Sequence, residues 1–133
     1  MPANIEINRG FLEQFDLESE ISTLESHKPW PRGVTSKMLL KTSDLRIVLI
    51  VMQAGAKMEE HHNDGRISIQ VLRGSIRSRV QDQVVDLTPG KLLALDRSLQ
   101  HDVEAREDSA FLLTIAWPSD EELMGLKHRG YGS

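Results

Sequence analysis

The spacing of hydrophobic positions changes period near residue 35. Before it, Leu17, Ile21 and Leu24 in "DLESEISTLESH" stand at i, i+4 and i+7. That is the spacing of one helix face, so a short amphipathic helix is expected there. "KPWPRG" ends it, because each proline drives the residue before it toward extended geometry. Trp30, between the two prolines, reads as a hydrophobic plug that anchors the N-terminal arm. From Ser36 the period becomes two. "SKMLLKT" and "DLRIVLIVMQ" read as strands parted at residues 42–44. "RISIQVL" alternates Ile67, Ile69 and Val71 with Ser68 and Gln70. "SIRSRV" puts Ile76, Ser78 and Val80 on one face, Arg77 and Arg79 on the other. "DQVVDL" and "KLLALD" follow, separated by a turn at residues 88–90, and "HDVEA" and "AFLLTIAWP" complete the series. Eight or so short strands with no helix between them predict an all-β sandwich or barrel. In "SDEELMGLKH", Ser119 and Glu122 have the spacing of a capping box, so a short helix is expected from about 120 to 127. The expected organisation is one domain: an arm with a short helix over 1–35, a barrel over 36–118, and a C-terminal helix and tail over 119–133.

The 133 residues are about the size of one domain and can bury a core without staples. The chain has no cysteine, which excludes disulfides, thiolate metal sites and thiol catalysis. Its formal net charge of −4 gives no global attraction to nucleic acid or to an anionic membrane. The most apolar run, "IVLIVM", is far shorter than the roughly 20 residues that span a bilayer. No apolar run of signal-peptide length occurs near residue 1. A cytoplasmic protein is therefore expected, with neither nucleic acid nor membrane as partner. P-loop, dinucleotide-binding and nucleophile-elbow motifs are missing. Arg66, Arg73, Arg77 and Arg79 cluster around one strand pair and read as a solvated outer face. His27 and His128 lie in the flanks and read as surface residues.

The stretch "GAKMEEHHNDGRISIQVLRG" carries the candidate chemistry. Together with "GKLLALDRSLQH" it resembles the cupin superfamily of jelly-roll β-barrels. Gly55 and Gly74 match the glycines of that family's first motif, and His61 its first histidine. Asn63 stands at the second histidine position and Ile67 at the glutamate position. Gly90 and His101 match the second motif, while Asp96, Ser98 and Ala105 replace its proline, glycine and asparagine. The resemblance covers residues from about 36 to 117. It implies an all-β jelly-roll barrel with short helical segments at either end, enclosing a small-molecule pocket. In metal-binding cupins two motif-one histidines, the glutamate and the motif-two histidine hold one divalent ion. The resemblance therefore admits Zn, Ni, Fe or Mn as a cofactor, and small cupins of this kind often dimerise.

Three arrangements of residues 60–63 are open. A regular strand brings His61 and Asn63 inward with His101. A slip at "NDG" brings Glu60 and His62 inward with His101, the two-histidine, one-carboxylate set of non-heme iron oxygenases. A backbone bulge would let His61, His62 and His101 converge. The candidate pocket is His61, Asn63, Ile67, Ile69, His101 and Val103, with further apolar wall from Val71, Ile76, Leu92, Ala94 and Leu113. The candidate metal ligands are His61, His62, His101 and Glu60. Two function classes follow: a metal-free module that binds or senses a small molecule, and a divalent-metal-dependent oxygenase or isomerase. A homodimer is expected, with the N-terminal arm able to cross to a partner barrel and cover its strand edges.

Overall fold

The computed structural model describes residues 10–61 and 64–117, with residues 60 and 61 as backbone only. The expected first helix is α1, Leu17–Glu25. The Asp16 carboxylate caps it by accepting from the Ser19 N–H at 3.2 Å. Glu18 and Glu20 place negative charge beside the open N–H groups of its first turn. At the other end the Leu24 carbonyl accepts from both the His27 N–H at 3.1 Å and Trp30 Nε1 at 3.0 Å.

Among the described residues nine strands follow: β1 Val34–Lys41, β2 Leu45–Met52, β3 Lys57–His61, β4 Arg66–Arg73, β5 Ile76–Val80, β6 Gln83–Leu87, β7 Leu92–Leu95, β8 His101–Ala105 and β9 Ser109–Ala116. They form two antiparallel sheets, ordered β1-β2-β9-β4-β7 and β3-β8-β5-β6. Strands distant in sequence are neighbours, as in a jelly roll. The sheets enclose one apolar cluster that includes Ile67, Ile69 and Val71 of β4, Ile76 of β5, Val103 of β8 and Phe111 of β9. A Cβ at Gly74 would run into the Asp108 carbonyl and the Ser109 hydroxyl, and its φ of +80° is left-handed, so the β4–β5 turn requires glycine.

"IVLIVM" lacks alternation because β2 lies between two apolar layers. Ile50 and Met52 enter the interior cluster, while Leu49 and Val51 join Ile21, Trp30 and Leu39 in a second cluster under α1. Trp30 is 7% exposed and plugs that outer layer, as expected. Ile21 of α1 and Trp30 pack on β2 of the same chain. No helix among the described residues is long and apolar enough to cross a membrane.

One expectation needs correction. On β7, Leu95 pairs with Ile67 and Leu93 with Ile69, so these two face the interior. Leu92 is 62% exposed and Ala94 is exposed, so neither is pocket wall. "LLAL" is apolar at every position, and a slip of one residue exchanges the two faces. β3 is a strand although "KMEEH" shows no alternation; pairing with β8 imposes it. The C-terminal helix expected over 120–127 lies outside the described residues.

Candidate functional site

β8 positions the first candidate. His101, Val103 and Ala105 are buried along one face, and Asp102 and Glu104 alternate with them. His101 is 2% exposed, in an interior otherwise lined by aliphatic residues and Phe111. Its Nδ1 lies 3.2 Å from the Leu99 carbonyl. A carbonyl only accepts, so Nδ1 carries the hydrogen, and in a neutral ring the lone pair is then on Nε2. That tautomer suits a ring that presents Nε2 to a ligand or a metal. The other buried polar side chains bond backbone: Ser78 Oγ donates to the Asp102 carbonyl at 2.7 Å, and Ser109 Oγ to the Glu107 carbonyl at 2.7 Å.

β8 runs between β3 and β5, and His101 pairs with His61 on one side and Val80 on the other. The β3 register is irregular. Met58 pairs with Val103 and His61 with His101, so three residue steps on β3 oppose two on β8. This is a bulge of one extra residue. A regular strand would bring Glu60 opposite His101; the bulge brings His61 there instead. His62 and Asn63 lie outside the described residues, as do the side chains of Glu60 and His61.

Ile67 stands where the metal-binding family members carry their carboxylate. It is 7% exposed and paired with Leu95 and Ile115, both in the same apolar cluster. That position offers no donor, so the residues present do not fit the family's centre of three imidazoles and one carboxylate. Ile69 and Val103 are buried in the cluster with Ile67, as expected of the interior wall.

A cavity of about 580 Å³ opens elsewhere, between the edge strands of the two sheets. Pro31, Arg32 and Val34 line one side, and Lys57, Met58 and Glu59 the other. Sequence reading missed these residues. "KPWPRG" signalled only a helix stop, and β3 has no periodicity to mark an inner face.

The arginine cluster is paired, not a basic face. Arg66 meets Asp96 at 3.0 Å, Arg73 meets Glu18 at 2.8 Å and Glu25 at 3.4 Å, and Arg79 meets Asp102 at 3.6 Å. Arg77 holds both Asp86 oxygens, at 2.7 and 3.1 Å, and this hydrogen bonding lowers the Asp86 pKa. The backbone N–H of Arg97, helped by Arg66, lowers that of Asp96. Arg73 ties β4 to α1, and the Glu18 bond raises its pKa.

No curated protein matches the chain in sequence. Solved structures do match in fold. A cupin superfamily protein from Desulfitobacterium hafniense is 20% identical, with a TM-score of 0.64 over 68% of this chain and 84% of that one. KdgF from Halomonas sp. is 22% identical, with a TM-score of 0.61 over 74% of this chain and 94% of its own. A conserved protein of unknown function from Streptococcus pyogenes is 19% identical, with a TM-score of 0.63 over 66% of this chain and 77% of its own. The model of the cupin domain matches residues 48–117, just over half the chain and from β2 to the end of β9. With the two-sheet jelly roll, that match shows that this chain belongs to the cupin family.

Proposed function

We propose that this cupin binds a small molecule through the β3–β8 side of its barrel, with His101 as the polar anchor and without the family's four-ligand metal centre. The observation that carries this reading is His101 itself, a 2% exposed imidazole among apolar side chains whose Nδ1 is tied to the Leu99 carbonyl. Ligand pockets combine such apolar walls with a few placed polar groups. Ile67 supports the metal-free form, because a packed aliphatic side chain occupies the carboxylate position. The same reading takes the protein to be cytoplasmic and a homodimer. Exposed Phe11 (61%) and Leu12 (93%) at the start of the arm favour a covering partner.

A second reading is favoured by the β3 bulge, which puts His61 in register with His101. Paired residues of an antiparallel ladder have neighbouring Cβ atoms, a spacing from which two imidazoles can share one divalent ion. Glu60 or His62 would supply a third ligand, and the activity would be that of an oxygenase or isomerase. Elemental analysis of protein purified without an affinity tag, wild type beside His101→Ala, separates the readings. Metal missing from both supports the binding module. Stoichiometric metal lost in the variant supports the enzyme. Stoichiometric metal kept by the variant would refute His101 as its ligand.

A further inference from the structure

We infer that the cleft between β1 and β3 is an anion site, taking the carboxylate or phosphate head of a small organic molecule whose apolar body lies against Val34 and Met58. This rests on the proposal that the barrel binds a small molecule, and it names the class. The first observation is charge. Among the described cations, Lys28, Lys37, Arg66, Arg73, Arg77 and Arg79 each have a carboxylate within 4.0 Å. Lys41, Arg46, Lys91, Arg97, Arg106, Arg32 and Lys57 have no ion pair among the described residues, and of these seven Arg32 and Lys57 together line one cleft of about 580 Å³. An unpaired guanidinium offers a planar fork that matches a carboxylate or phosphate, and a lysine beside it adds a point charge. Glu59 brings one carboxylate to the described lining beside the two cations.

The second observation is rigidity. Arg32 has φ 58°, the left-handed region that a side chain with a Cβ rarely adopts, and Gly33 follows with φ 74°. Strain of this kind persists only where the surroundings impose it, and it gathers at ligand sites. Here the surroundings are visible. The Gly33 N–H donates to the Trp30 carbonyl at 3.0 Å, and the Gln53 N–H donates to the Gly33 carbonyl at 2.8 Å. The other wall is tied to β8 by the Ala105 N–H, which donates to the Ala56 carbonyl at 2.9 Å. Both walls therefore meet at the 53–56 turn, and the buried Trp30 holds Pro31 and Arg32 from behind. The third observation is the floor. Val34 and Met58 are half-buried and pack against the interior cluster, and Met58 pairs with Val103 on β8. A charged head at the rim and an apolar body on this floor would point toward the strand that carries His101.

The test is two-dimensional amide NMR of the full chain, titrated with benzoate, phenyl phosphate and, as the neutral analogue, benzyl alcohol. The inference expects an anionic probe to move the amide signals of residues 32–34 and 57–59, at least tenfold more tightly than benzyl alcohol, and to weaken with added salt. Benzoate and phenyl phosphate as separate arms tell which head is preferred. Arg32→Gly separates charge from fold: it relieves the left-handed strain, so the melting temperature should hold or rise while anion affinity falls at least tenfold. Lys57→Ala should weaken binding in the same direction. Equal affinity for benzyl alcohol, or full anion binding by Arg32→Gly, overturns the inference. Signals that move only along 101–105 would overturn it while leaving the His101 pocket standing. No movement with any probe would overturn both.

Discussion

Ile67→Glu places a carboxylate where metal-binding cupins have one, and the structure determines what that does to a barrel without the ion. Ile67 is 7% exposed and pairs with the apolar Leu95 on β7 and Ile115 on β9. Losing the buried side chain removes roughly 1.5–3 kcal/mol of apolar stabilisation. The uncompensated carboxylate adds several kcal/mol, or stays protonated in the folded state. Together they come to about 4–6 kcal/mol at neutral pH, a large part of the about 5–15 kcal/mol that a domain has. The sign with pH follows from desolvation, which raises the folded-state pKa above the unfolded value of about 4.3. The charge penalty is therefore missing below that pH and grows as pH rises toward the folded-state pKa. Ile67→Gln is the control: it loses apolar burial without the charge, so its deficit should be flat with pH. Urea denaturation of the three proteins between pH 4 and about 8 measures both terms. A glutamate variant as stable as wild type across the range would refute the burial of Ile67 and the β4 register with it. Recovery on adding Zn²⁺ would instead show that His61 and His101 converge on position 67.

Three further outcomes are expected. Trp30→Ala should cost about 3–5 kcal/mol, since it leaves a void in the outer cluster and removes one of the two donors to the Leu24 carbonyl, and limited proteolysis should then cut the arm before the barrel. Asp86 should titrate below the usual carboxylate range by NMR, and Arg77→Leu should return it to that range. Because the folded pKa is the lower one, this pair's small contribution is present at neutral pH and is lost as pH falls below about 4. Sedimentation equilibrium at micromolar concentration should give a dimer, and a mass near 15.0 kDa throughout would refute it.

What the sequence made legible was whatever is written in alternation. β4 and β5 alternate apolar and polar residues, so Ile67, Ile69, Val71, Ile76 and Ser78 were assigned to the interior correctly. β7 was legible as a strand but not in phase, because four consecutive apolar residues leave both faces equivalent until Ile67 and Ile69 choose Leu95 and Leu93. β2 carries apolar side chains on both faces because α1 covers its outer side, which the helix periodicity hinted at without saying where the helix docks. The candidate site was harder for a different reason. β3 takes its conformation from long-range pairing with β8, and its bulge has no local signal. Arg32 is harder still, since nothing in "KPWPRG" says that an arginine rather than the glycine beside it opens the left-handed pair.

These hard places share a neighbourhood. A sheet gains most from an unbroken ladder, yet β3 interrupts its pairing with β8 by one residue, and the effect is to bring His61 opposite His101. An apolar interior gains most from aliphatic side chains, yet β8 buries an imidazole at that same register point. A turn into a strand gains from glycine at both left-handed positions, yet Arg32 takes the first, across the cleft from Lys57 at the start of β3. Each departure lowers stability by a local rule, and each borders β3 or its partner strand. Elsewhere α1 is capped, Gly74 fits its turn and the arginines of β4 and β5 have carboxylates, while Gln81 and Ser98 also take a left-handed φ and β1 and β4 also shift register. Departures from local consistency gather where a protein is shaped for something other than stability. On the proposed reading, the β3 side of the barrel, rather than the paired arginines or the arm, is where a ligand would bind.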